Sequence, residues 1–189
     1  MTASGTDRNA AAPTRDEAAA QLSSYAQDLV RALDLAPHPE GGWYRRTWQS
    51  ATVATGDASA AADLTEDSTS ARPLASLIYF LLPAGDASAW HVVDADELWL
   101  WHGPGPITLE LAGTGDAPDL EHATRYTLYL PGPTGEKNAP SRQDPTRDAR
   151  TQLVVPAGVW QRTVPTTEDA LASCVVSPGF VYSGFSLAK

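Results

Sequence analysis

GDASAWHVVDADELWLWHG, residues 85–103, is the stretch whose reading decides the fold. Successive side chains of a strand point to opposite faces. His91 and Val93 therefore share a face before the acidic turn at 94–96, and Glu97, Trp99 and Trp101 share one after it. If the turn folds the two strands together, these five side chains converge on one half-polar, half-aromatic wall. Small-ligand pockets have that composition. Asp94 and Asp96 sit in the turn and read as turn-forming or solvated.

Strand patterns continue on both sides. GGWYRRTWQS alternates from Trp43 onward, and LASLIYFLL at 74–82 is a short apolar run closed by PAG, which reads as a buried strand. Further short strands are predicted near 88–93, 97–102, 106–112, 125–130, 151–155 and 171–177, separated by Gly, Pro and Asp clusters. One segment breaks the pattern. Thr14 with Glu17 forms a capping box, and Ala18, Leu22, Tyr25, Leu29 and Leu33 form an apolar stripe, so one amphipathic helix is predicted over 14–34. Many short strands behind one helix indicate a β-sandwich or barrel. Residues 1–13 read as a disordered tail ahead of a single domain over 14–189. Residues 51–72 and 131–148 read as long polar loops.

The chain of 189 residues has 23 acidic and 13 basic side chains, a formal net charge of −10, which argues against nucleic-acid binding. No run is long and apolar enough for a membrane span, and no signal-peptide pattern precedes the helix; a cytoplasmic protein is expected. Cys174, the single cysteine, reads as a small buried thiol.

The spacing of Gly85, His91, Val93, Glu97 and Gly103 resembles the first motif of the cupin superfamily: Gly, five residues, His-x-His, three or four residues, Glu, and a later Gly. RTQLVVPAGVWQ, residues 150–161, resembles the second motif. Pro156, Ala157 and Gly158 match its Pro-x-Gly, while Arg150 and Gln161 replace its Gly and His. HPEGGWYRRTW, LIYFLLPAGDASAWH, DELW, VPAGVW and CVVSPGF together are similar to the cupin type 5 branch, over about residues 30–187. Members of that branch are often labelled predicted sugar epimerases. The resemblance implies an all-β, RmlC-like jelly-roll barrel with one N-terminal helix, usually a homodimer, holding a small-molecule ligand inside. The chain departs from the branch at Trp43 (for Tyr), Arg46 (for Glu), Leu100 and Trp101 (for His-Phe) and Val181 (for an acid).

Carried over residue by residue, the metal positions of a metal-binding cupin fall on His91, Val93, Glu97 and Gln161. Valine cannot ligate and a glutamine carbonyl is a poor ligand, so two good ligands are left where catalytic zinc or non-haem iron takes three. His102 alternates onto the other face and His38 lies on a distant loop. No metal and no other cofactor is therefore expected. Acid–base work suits the same residues better. Burial beside tryptophans raises the pKa of Glu97 and lowers that of His91, which brings a proton-transfer group towards neutral pH.

The reading is thus a metal-independent epimerase or isomerase, with His91 as general base and Glu97 as its partner acid. Trp99, Trp101 and Gln161 would position the ligand, and Tyr44 or Tyr79 would lie opposite the base. Glu40, in PHPEGGW, is either in the pocket or a cap for backbone N–H groups. Trp90 and Trp160 are either core or dimer contacts. The rivals are a non-catalytic metabolite-binding module and a metal enzyme with an incomplete ligand set.

Overall fold

The computed structural model describes residues 14–54, 72–130 and 150–188. The tail at 1–13, most of the 51–72 loop and the 131–148 excursion lie outside the described residues.

The helix expected over 14–34 is two helices, α1 (Arg15–Ala19) and α2 (Ser24–Ala32). Thr14 caps α1 in the reciprocal box with Glu17 that their spacing implies. The break lies at Ser23, whose ψ of 157° leaves the helical region while its Oγ accepts the Ala26 N–H at 3.0 Å. A serine in that state starts a new helix rather than continuing the old one. The restart shifts the buried face. Ala26 and Val30 are buried and Tyr25 is 45% exposed, while Ala18, Leu22, Leu29 and Leu33 keep the packing that the stripe predicts. Ser23 also donates to the Asp169 carboxylate, pinning the helix pair to the barrel. Ser23→Ala is expected to lower the unfolding free energy by about 1–2 kcal/mol. A reduced urea midpoint at unchanged slope checks this, and an unchanged midpoint would show that the cap is dispensable.

The strands form two antiparallel sheets. The large one runs in the order β1 (Ala36–Pro37), β2 (Trp43–Gln49), β5 (Ser76–Leu82), β12 (Ala170–Ser177), β7 (Asp96–Pro104), β10 (Gln152–Val155). The small one runs β13 (Phe185–Leu187), β6 (His91–Val93), β11 (Gln161–Thr163), β8 (Ile107–Leu111), β9 (Thr124–Leu128). β3 (Val53–Ala54) and β4 (Arg72–Pro73) make a separate pair. The result is the expected jelly roll.

Apolar residues fill one end of the space between the sheets. Phe80, Leu82 and Trp99 of the large sheet meet Ile107, Leu109 and Leu128 of the small one, all at most 1% exposed. Phe80 and Trp99 stack edge to face at 5.5 Å, a favoured aromatic geometry. α1 and α2 cover the outer face of the large sheet over Trp43 and Leu81. Trp160 is buried, with its indole N–H donating to the Gly115 carbonyl, so it is core. Trp90 is half-buried and stacks against the Arg162 guanidinium.

Candidate functional site

Along three neighbouring strands the inward-facing residues change character halfway. β5 passes from Ser76 and Ile78 to Phe80 and Leu82, β12 from Val176 and Cys174 to Ala172 and Ala170, and β7 from Glu97 to Trp99. The second member of each set is packed core. The first lines a cavity of about 390 Å³ at the other end of the barrel. Into it project His91 from β6, Tyr44 from β2, and His38 and Glu40 from the loop between β1 and β2.

Two glycines set that loop. Gly41 has φ +107°, and a Cβ there would lie 2.3 Å from the Ala87 carbonyl oxygen; Gly42 has φ +72° against the Leu81 carbonyl. Only glycine fits backbones in that conformation at such close approach. The Glu40 carbonyl then accepts the Ala89 N–H at 2.6 Å, locking the loop to the strand that carries His91. Glu40 therefore points into the cavity. His38, expected on a distant loop, is brought in with it, its ring edge-on to Tyr44 at 4.5 Å.

The expected His91–Glu97 pairing is not what forms. His91 donates Nδ1–H to the Ala89 carbonyl at 2.8 Å, and the nearby carboxylate is Glu40, with Oε2 at 3.4 Å. A carbonyl only accepts, so the proton is on Nδ1 and Nε2 carries a lone pair. Burial lowers the pKa of His91 to about 4, and burial together with His91 lowers that of His38 to about 4, so both rings are neutral at physiological pH. Their short distances to Glu40 are accordingly polar contacts rather than ion pairs.

Glu97 is held differently. Gln161 Nε2 donates to its Oε2 at 2.6 Å, and the Cys174 thiol donates to the same carboxylate. Gln161 Oε1 in turn accepts the Trp99 indole N–H at 3.1 Å. Desolvation pushes the Glu97 pKa up to about 7 against the lowering effect of those donors. Burial, reinforced by the charge of Glu97, pushes Glu40 well above the usual carboxylate range. A histidine near 4 is a weak base, whereas a carboxyl near 7 can take and return a proton at neutral pH.

The other expected positions divide. Tyr44 lines the cavity, its hydroxyl 3.4 Å from that of Tyr182. Tyr79 does not face it. It lies on the outer face with the helices, edge-on to His102, because it alternates with Ile78 and Phe80. Trp99 is 1% exposed and orients Gln161 rather than stacking on a ligand. Trp101 packs on the core and donates to the Gly105 carbonyl. Gln161 supports Glu97, so both ends of its amide are engaged within the protein. His102, as expected, faces outward, bonded to Ser173. The sequence did not point to Cys174 as a partner of Glu97, nor to Phe180, Tyr182 and Phe185 as cavity walls.

Of the carried-over ligand positions, Val93 offers no donor atom and the Gln161 amide is engaged with Trp99 and Glu97. Among the described residues no group of three His, Cys, Asp or Glu is arranged to hold a metal ion.

The four buried groups give a testable pH dependence. Each neutral histidine contributes stability that is full above 6.5 and lost as the pH falls through about 4, since the unfolded chain takes up its protons first. Glu97 acts in reverse. The unfolded chain ionises it from 4.5 while the folded one waits until about 7, so stability falls across that window, by about 3 kcal/mol at about 1.4 kcal/mol per pH unit. Glu40 acts in the same direction as Glu97. Between 4.5 and 6.5 the two pairs offset each other; above 6.5 only the carboxyls still titrate. Thermal stability is expected to decline from pH 6.5 towards 8, less steeply in Glu97→Gln. A melting temperature that rises over that range in the wild type contradicts the assignment.

Known proteins share this architecture. No curated protein matches the sequence. Among solved structures, the chain is 30% identical to a structural-genomics protein from Shewanella oneidensis, covering 86% of this chain and 83% of that one at a TM-score of 0.61. It is 25% identical to a hypothetical protein from Leishmania major, covering 85% of each at a TM-score of 0.62. The family model described as Cupin superfamily (DUF985) matches residues 27–188. With that model spanning nearly all of the described barrel, the chain belongs to the cupin superfamily, in the family of that description.

Proposed function

We propose that the chain is a metal-independent proton-transfer enzyme of the isomerase or epimerase kind, acting on a small carbonyl compound inside the barrel. The observation behind this is the setting of Glu97: a buried carboxyl on the cavity wall, oriented by Gln161 and Cys174, with a pKa of about 7. In this reading Glu97 removes a proton beside the carbonyl and returns it. Glu40, kept protonated by its surroundings, donates a hydrogen bond to the oxygen where charge develops. His91 accepts a hydrogen bond from a substrate hydroxyl at Nε2, the ring nitrogen that Ala89 does not engage. Tyr44 and the aromatic walls fix the ligand's orientation.

A panel of carbonyl compounds tests this without a named substrate. Keto sugars and 2-oxo acids incubated with the protein in deuterium oxide should exchange the hydrogen beside the carbonyl, read by proton NMR. Exchange that is lost in Glu97→Gln supports the reading. A panel in which no compound exchanges leaves the cavity as a binding site for a metabolite that it does not transform, which is the rival reading.

A further inference from the structure

The acid–base groups occupy the inner part of the cavity, and its mouth has a different chemistry. Arg46 follows Tyr44 on the same face of β2 and lines the opening. Its guanidinium donates one hydrogen bond to the Phe180 carbonyl at 3.3 Å and lies over the Phe180 ring at 5.9 Å. Arginine has five donors in a fixed fork. One is used here, and among the described residues no carboxylate pairs with the side chain. Its charge is felt at the Tyr182 hydroxyl, which itself lies beside that of Tyr44.

An arginine without a carboxylate partner among the described residues is unexpected on this chain, where 23 acids outnumber 13 bases. Asp34, the exposed acid among the lining residues, is paired with Arg15 at 3.0 Å. A fork with free donors, flanked by two phenolic hydroxyls and backed by an aromatic ring, suits a planar or tetrahedral oxyanion. It would repel a cation. The interior adds no cation to compete with Arg46, because both histidines are neutral, and Glu97 adds negative charge only as the pH rises through about 7.

We propose that the site takes an organic anion, a carboxylate or a phosphate ester, with its charged group on Arg46 at the mouth and its uncharged end towards Glu97. The orientation, though not the anion's affinity for Arg46, rests on the proton-transfer reading above. The aromatic walls formed by Phe180, Tyr182 and Phe185 would pack on the ligand's body. In this account Arg46 determines the sign of charge that the site accepts.

Calorimetric titration of the full chain with benzoate, phenyl phosphate, inorganic phosphate and uncharged benzyl alcohol tests it. Benzoate or phenyl phosphate should bind, more tightly than benzyl alcohol, and whichever binds better identifies the preferred oxyanion. Arg46→Gln should weaken that binding about tenfold or more, the loss expected for a charged hydrogen-bonded contact. Arg46→Lys should keep part of it. Arg31→Gln, which removes the same charge from α2, should leave it unchanged. Equal binding of benzyl alcohol, an unaltered Arg46→Gln, an Arg31→Gln that weakens as much, or no anion binding at all each overturns the proposal. Glu97→Gln should still bind the anion. Arg46-dependent binding without proton exchange would retain the substrate class and reject the acid–base reading. Exchange on neutral compounds alone would do the reverse.

Discussion

Glu97→Gln is expected to reduce proton exchange by about 10²- to 10⁴-fold, the range that a positioned general acid or base supplies, while leaving the fold and ligand binding in place. The substitution keeps the shape of the side chain. Its amide oxygen can still accept from Gln161 Nε2, so the Trp99–Gln161 arrangement survives. What it removes is the capacity to titrate. The wild-type rate should rise with pH through an inflection near 7, where Glu97 becomes a carboxylate, and the residual activity of the variant should lack that inflection. His91→Gln should behave differently. His91 is already neutral above about 4, so replacing the ring by an amide should raise KM by displacing the hydrogen-bond acceptor at Nε2 and leave the inflection near 7. If the inflection vanished in His91→Gln and persisted in Glu97→Gln, the two roles would be the wrong way round.

How far the sequence discloses this site depends on which contacts are local. Alternation within 85–103 places His91, Glu97 and Trp99 on inward faces, and the structure keeps them there. The short strands at 43–49 and 76–82 are legible for the same reason. The helix is legible as a stripe but not as a pair, because a capping serine competes with continuation on equal local terms. β11 and β13, three residues each, are too short to show a period.

The remaining misses are non-local. Cys174 reaches Glu97 because β12 lies between β5 and β7, with Cys174 level with Ile78 and Trp99. No periodicity discloses which strand inserts between two others. His38 and Glu40 enter the cavity because Gly41 and Gly42 turn the chain there. A glycine pair signals a turn without giving its direction. Trp101 shows the converse limit: it shares a face with Glu97 and Trp99, yet alternation says nothing about which end of the barrel is packed solid.

Gln161→Leu tests whether the amide, rather than the fold, sets the state of Glu97. The substitution is close in size and removes two interactions at a position 1% exposed. The Trp99 indole N–H loses its acceptor, which costs about 1–3 kcal/mol for a buried donor left unpaired. Glu97 loses a hydrogen bond that favours its charged form, so its pKa should rise further above 7. The total loss of stability should therefore be larger at pH 8, where the wild-type carboxylate benefits from the amide, than at pH 5, where the carboxyl is protonated. In the Glu97→Gln background the charged contact is already gone. There the cost of Gln161→Leu should fall towards the Trp99 share and lose most of its pH dependence, a coupling that a double-mutant cycle measures directly. A cost that is equal at both pH values and unchanged by Glu97→Gln would mean that Gln161 fills space and does not hold the carboxylate. As the contacts stand, its amide joins the Trp99 indole to the Glu97 carboxyl, so the state of that carboxyl depends on residue 161.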